Sequence, residues 1–134
     1  MSHRRPWRHK MAPRAWYEAL DAGIRFPVRV LHAAGLETCQ SCEGGEGHAY
    51  YDPTIDMVAR ADDVDGFAAL RALEDYGLHV ATVSIVWNIK NGLPYEKLWR
   101  IVLFGSARER AKEWPSFVHK YVAADSSNGT FDAD

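Results

Sequence analysis

The sequence contains little cysteine and no long apolar segment. Two cysteines in 134 residues are too few for a disulfide-dense secreted scaffold. No apolar run approaches the ~18 residues that a membrane helix needs, and residues 1–14 lack the apolar centre of a signal peptide. A content of 47% hydrophobic and 25% charged residues also excludes a disordered or collagen-like chain. We therefore expect a cytoplasmic protein with reduced thiols and no membrane association.

The net charge of −2 conceals an uneven distribution of charge. Residues 1–14 hold five of the 16 basic side chains and none of the 18 acidic ones. We interpret 1–14 as a basic flexible arm, 15–122 as one α+β domain and 123–134 as a flexible acidic tail. The arm is either a solvated terminus or a weak, salt-dependent nucleic-acid contact. The candidate contacts are Arg4, Arg5, Trp7, Arg8 and Lys10.

Apolar periodicity predicts two helices with a strand between them. The first helix lies between Pro27 and Gly35, after a less certain helical turn near Trp16, and Thr54–Ala59 alternates as a strand. The second helix is capped by aspartates and ends at Gly77. Its caps are Asp62 and Asp63, and its apolar stripe is Val64, Phe67, Leu70, Leu73 and Tyr76.

A β-hairpin is predicted in the second half of the chain. Strands over Ala81–Ile89 and Lys97–Phe104 flank Asn91-Gly92, a strong turn signal, with Pro94 outside the second strand. Trp87 and Trp99 then form a cross-strand aromatic pair. A last helix starts at Ser106 and kinks at Pro115.

These elements define an α+β fold. We predict a three- or four-stranded mixed sheet, built from a parallel strand–helix–strand crossover over Thr54–Ile89 and the hairpin. The helices pack on one face of the sheet. Chemistry is expected at Thr38–Thr54, a segment without periodicity that we interpret as a loop through His48.

Two hypotheses for this loop involve its cysteines. Cys39 and Cys42 in C-x-x-C spacing, with His48, supply three zinc ligands, whereas structural zinc takes four, so zinc is a secondary possibility and no other cofactor is predicted. Alternatively, Cys42 is a catalytic nucleophile with His48 as its base, or half of a redox pair.

A third hypothesis relies on the backbone. Gly44, Gly45 and Gly47 could expose N–H groups to an anion or ligand, although the spacing fits neither a Walker loop nor G-x-G-x-x-G. The simplest alternative is a tight turn that seats His48 and Tyr50 against the sheet. If the loop is functional, we expect Cys42, Glu43, His48 and Tyr50 to converge at one sheet edge. The candidate ligand-binding residues are Glu43, Gly44, Gly45, Gly47, His48 and Tyr50.

The loop also resembles a known sequence pattern. Ser41–Tyr50, after Gly35–Thr38 and before Pro53-Thr54, is similar to the S-C-x-G-G-x-G-H-x-Y loop of a small uncharacterised domain of phages, prophages and proteobacteria. The resemblance covers about Val28–Phe104. The chain departs from that pattern at Cys39 and at Tyr51-Asp52, where the family usually has Pro-Glu. The S-C-S-G loop of the Tyw-three-type wybutosine methyltransferases is a fainter analogy.

The resemblance implies a domain identity and no reaction. It implies a small phage-associated accessory or binding protein, located in the cytoplasm of a bacterium or phage-infected cell, whose 38–54 loop contacts an unknown ligand or protein partner. A small enzyme using Cys42 and His48, or a zinc-binding domain, is the alternative. Whether the chain is an enzyme stays open at this point.

Overall fold

The computed structural model describes residues 12–59 and 64–113. Three α-helices and four β-strands make up most of this part of the chain. They are α1 (Arg14–Glu18), α2 (Arg25–Ala33), β1 (Thr38–Cys42), β2 (Thr54–Val58), α3 (Asp65–Asp75), β3 (Val80–Lys90) and β4 (Leu93–Leu103). Short 3₁₀ turns cover Ala22–Ile24, Gly105–Ala107 and Arg110–Lys112. None of the helices in the described residues has the length and apolar character needed to cross a bilayer.

The four strands form a sheet in the order β1-β2-β4-β3. The predicted α+β class and four-stranded sheet are confirmed, but the expected mixed pairing is wrong because every neighbouring pair is antiparallel. Strands β2 and β3, which flank α3, do run in the same direction. They are not neighbours, because β4 turns back from the hairpin and pairs between them.

The sequence predicts a loop over Thr38–His48, but only the second part of this segment is a loop. Its first five residues form β1, which pairs with β2 from Thr38↔Met57 to Cys42↔Thr54, with an irregularity at Cys39. The glycines that break the pattern come only after Cys42. Backbone pairing with β2 therefore determines the strand, without help from apolar alternation.

The predicted hairpin is confirmed, but the start of its second strand and its aromatic pairing differ from the prediction. Asn91 and Gly92 both have positive φ (53° and 78°), which matches a type I′ turn. Pro94 lies inside β4, where β2 has ended and one strand edge is free of a ladder partner. The predicted Trp87–Trp99 pair is wrong: Trp99 is buried opposite Ile85, whereas Trp87 is exposed opposite Lys97.

The predicted helix limits hold better than the predicted apolar stripe. Gly35 and Gly77 end α2 and α3 with φ of 83° and 75°. Of the predicted stripe, Leu73 and Tyr76 are buried, whereas Phe67 and the N-cap residue Val64 are exposed. Gly66 lies so close to the Trp99 ring that no Cβ would fit there. The other residues that α3 buries are Asp65, Gly66, Ala69 and Ala72.

The predicted last helix is also wrong over the described residues. Gly105–Ala107 and Arg110–Lys112 form 3₁₀ turns, and Arg110 Nε donates to the Tyr76 carbonyl at 2.7 Å, which holds this segment against the end of α3. Arg14, which we assigned to the arm, begins α1. Ala12, also assigned to the arm, is buried, and its N–H donates to Tyr17 Oη at 3.0 Å. Residues 1–11, the Asp62 and Asp63 caps, Pro115 and the acidic tail lie outside the described residues.

The core lies between the helices and one face of the sheet. Ile55, Met57, Ile101 and Leu103 on the strands are buried with Phe26, Val30 and Leu31 on α2. The alternate strand positions point to the other face, and there β1, β2 and β4 carry Gln40, Cys42, Thr54, Asp56 and Arg100. This polar face is covered in part by the loop from residue 43 to 53, which joins β1 to β2.

Candidate functional site

Close backbone contacts determine the shape of the loop. Gly44 has φ of +82°, and a Cβ there would lie 2.7 Å from Pro53 N, so only glycine fits without distortion. The Gly45 N–H donates to the Tyr51 carbonyl at 2.8 Å, and the His48 N–H donates to the Gly45 carbonyl at 3.1 Å. These bonds fold residues 45–51 back on themselves and bring His48 above the end of β1.

The imidazole of His48 lies between a thiol and a carboxylate. Its Nδ1 is 3.8 Å from Cys42 Sγ, and its Nε2 is 3.4 Å from Glu43 Oε2. A neutral imidazole whose Nε2–H faces the carboxylate presents the Nδ1 lone pair to the thiol. A nucleophile, a base and a group that orients the base are therefore arranged in sequence.

Glu43 is positioned by the turn before α2. The Gly23 N–H donates to Glu43 Oε1 at 2.8 Å, which leaves Oε2 for His48. A Cβ on Gly23 would lie 2.7 Å from Oε1 and 2.9 Å from Glu43 Cβ. The carboxylate therefore lies directly against the backbone of Gly23, twenty residues away in sequence, where a larger side chain would collide with Glu43.

A cavity of about 200 Å³ opens beside Cys42. Its walls come from β1, β2 and the loop. The lining residues are Gln40, Ser41, Cys42, Ala49, Tyr50, Thr54 and Asp56. The Cys42 thiol, half-buried at this wall, is therefore beside a space large enough for a small ligand group.

An ion pair between buried Asp56 and part-exposed Arg100 forms the floor of this polar face. Arg100 donates from Nε and Nη2 to the two Asp56 oxygens at 2.8 and 3.0 Å, and Gln40 Nε2 donates to Asp56 at 3.2 Å. The Asp56 hydrogen bonds raise the pKa of Arg100 above its usual value. The guanidinium also lies 5.1 Å from the Tyr50 ring centre, so it braces the loop from below.

No sequence motif marks this ion pair, and Asp56 is one acid in an ordinary alternating strand. Only the structure identifies Asp56 as part of the site: it is 1% exposed, and the strand register places it between Gln40 on β1 and Arg100 on β4. The sequence cannot show this because the pairing of β2 with β4 spans forty-four residues.

The described residues contain one group of three metal-type ligands. Asp21, Glu43 and His48 each offer an atom, and these atoms lie within 4.8 Å of one another. The predicted trio of Cys39, Cys42 and His48 does not form such a group in the described part of the chain. Cys39 instead lines a second cavity, on the helix side, with Trp16, Leu20 and Val28.

The other predicted site residues have mixed positions. Tyr50 lines the cavity with Cys42, His48 lies next to the thiol and Glu43 lies next to His48, so the four residues lie together at edge strand β1 as expected. The three-glycine anion nest is not available as predicted, because the Gly45 N–H is bonded to the Tyr51 carbonyl. Neither cysteine forms a disulfide.

Comparisons of the chain with protein-family models, with curated proteins and with solved structures returned no match. The resemblance to the phage-associated domain therefore stays a prediction. Function has to be argued from the geometry of this site.

Proposed function

We propose that the chain binds a small electrophilic ligand in the cavity beside Cys42 and reacts with it through the Cys42 thiol. The observation that carries the proposal is the alignment of Cys42, His48 and Glu43 at 3.8 and 3.4 Å, at the wall of a cavity. This retains the predicted ligand-binding role of the loop. It also takes up the alternative prediction of an enzyme with Cys42 and His48 in its site, since the covalent step makes the protein a thiol-dependent enzyme.

The step we propose is acyl transfer. As Sγ attacks an acyl carbon, His48 Nδ1 accepts the thiol proton, and the same proton passes to the leaving group when its bond to carbon breaks. Water then attacks the thioester carbon while His48 accepts a proton from it, and this proton passes to Sγ as the C–S bond breaks, which releases the carboxylic acid and restores the thiol. Glu43 stabilises the imidazolium that forms in each step.

The lining of the cavity favours a small, uncharged ligand. Asp56 is neutralised by two hydrogen bonds from Arg100, so the floor presents no unpaired charge. Gln40 and Thr54 contribute amide and hydroxyl groups, and Tyr50 contributes an aromatic ring. A cavity of about 200 Å³ accommodates a short acyl group better than a peptide.

Acylation by p-nitrophenyl acetate tests the proposal. We expect release of p-nitrophenolate together with an acetyl group on the Cys42 peptide in mass spectra. His48→Gln should slow acylation on the order of 100-fold, the lower range for loss of a general base. Glu43→Gln keeps an oxygen for the Gly23 N–H and removes the charge, so it should give a smaller loss.

Cys39→Ser is the matched control, since Cys39 is also partly buried but lines the other cavity. It should leave the acylation rate unchanged. Acetylation of Cys39 at the same rate as Cys42, or no effect of His48→Gln, would contradict the proposal.

A divalent metal ion is the second candidate, favoured by the grouping of Asp21, Glu43 and His48. Two carboxylates and an imidazole suit zinc or a similar transition metal, and such an ion could polarise a bound ligand. Equilibrium dialysis with Zn²⁺ separates the two candidates through Asp21, which belongs only to the metal group. The metal site would be favoured over the thiol site if the chain binds zinc stoichiometrically and Asp21→Asn abolishes both zinc binding and Cys42 acylation.

A further inference from the structure

The β3 edge of the sheet carries a patch of exposed apolar side chains. Ile85, Trp87 and Ile89 project from one face of β3 and are 42%, 55% and 59% exposed. Phe67 on α3 extends the patch, because its ring packs edge-on against Trp99, the residue directly opposite Ile85. We define these four residues as the β3 patch.

The same strand has an open backbone edge. β3 is the outermost strand after β4, and within residues 12–59 and 64–113 nothing pairs with its other side. Natural edge strands of this length are usually protected by charges, prolines or bulges. From Val80 to Lys90 the only charged residue is Lys90 at the end, and the pairing with β4 is regular from Thr82 to Asn88.

The regular stretch is complementary to itself. Its midpoint is Ile85, so antiparallel pairing of two β3 strands about that residue aligns positions of equal parity. On the helix-side face, Trp87 then faces Val83 of the partner subunit, so apolar side chains meet, while Ile89 lies just beyond the regular stretch. On the other face Ser84 and Val86 meet across the pair, and no like charges are brought together within the regular stretch.

The exposed apolar area approaches what a specific dimer needs. A large side chain has roughly 150–250 Å² of surface, so four half-exposed ones offer on the order of 400 Å² per protomer. Full coverage in two copies would bury about 800 Å² from these side chains. The paired backbones add to this, toward the ~1,000 Å² expected of a specific interface.

We infer that the chain forms a twofold homodimer in which two β3 strands pair antiparallel about Ile85, producing a continuous eight-stranded sheet. The occupant of the edge is a second copy because the strand's own pattern is its complement. The inference is independent of the proposed thiol chemistry, since the patch lies on the helix-side face and the Cys42 cavity on the opposite face beside edge strand β1.

Sedimentation velocity over a range of protein concentrations tests the dimer. We expect a species of twice the chain mass at the higher concentrations. Ile85→Lys places two ammonium groups opposite each other at the twofold axis, and Ile85→Glu places two carboxylates there, so each variant alone should be monomeric. An equimolar mixture of the two variants should recover the dimer through the mixed pair.

Phe104→Lys is the matched control, because Phe104 is 52% exposed and lies outside the β3 patch. It should remain dimeric, and circular dichroism should report the same fold for all variants. A monomeric unmodified chain, dimers in the Ile85 variants, a mixture that stays monomeric, or a monomeric Phe104 variant would each overturn the inference.

Discussion

Acid should destabilise the protein through one buried histidine on α2. His32 is 4% exposed, with Nδ1 2.9 Å from Tyr17 Oη and Nε2 3.0 Å from Thr38 Oγ1. Burial penalises the charged imidazolium and lowers the pKa of His32 from 6.5 to about 4. The folded state therefore holds this ring neutral over a pH range in which the unfolded chain protonates it.

The sign and size of the effect follow from linkage. Because the unfolded chain binds the proton first, stability is complete above pH 6.5 and falls as the pH decreases toward 4. A shift from 6.5 to about 4 corresponds to on the order of 3 kcal/mol in full, and to about 2 kcal/mol between pH 7 and pH 5.

Urea denaturation at pH 7 and pH 5 measures this difference, with His32→Gln as the variant that cannot titrate. The variant should be less stable at pH 7, because the Tyr17 and Thr38 hydrogen bonds are weakened. Its loss of stability between the two pH values should be smaller than that of the unmodified chain by about 2 kcal/mol. Equal losses in both proteins would refute the assignment of acid sensitivity to His32.

Two further changes test the loop and its floor. Gly44→Ala and Gly47→Ala both place alanine at positive φ, but only Gly44 also meets the backbone at Pro53. Thermal melts should show a loss of about 1 kcal/mol for Gly47→Ala and a clearly larger one for Gly44→Ala, and equal losses would contradict the contact. Asp56→Asn leaves the Arg100 guanidinium without its carboxylate, and urea denaturation should show a loss of about 3 kcal/mol, while a neutral result would show that the pair is dispensable.

Local signals predicted local features of the fold. Asn91-Gly92 specified the hairpin, and Gly35 and Gly77 specified helix ends, because each depends on backbone conformations that neighbouring residues determine. The sheet order depends on β4 pairing with β2 across long sequence separations. Periodicity carries no information about that choice, so it does not predict an all-antiparallel sheet.

The site shows the same division. Cys42 and His48 are six residues apart in one loop, and their residue types alone indicated that they could act together. The support of Glu43 by Gly23 is a contact between separate elements twenty residues apart. Asp21 likewise reaches Glu43 and His48 only through a contact between separate elements. No sequence pattern marks Gly23 or Asp21 as part of the site.

In the proposed function, His48 activates the Cys42 thiol. Mass spectrometry after brief iodoacetamide treatment at neutral pH measures this activation, because Cys39 provides an internal reference in the same molecule. We predict that Cys42 is alkylated on the order of tenfold faster than Cys39, and that His48→Gln brings the two rates together. Equal rates in the unmodified protein, or a Cys42 rate that His48→Gln leaves unchanged, would show that His48 does not activate Cys42.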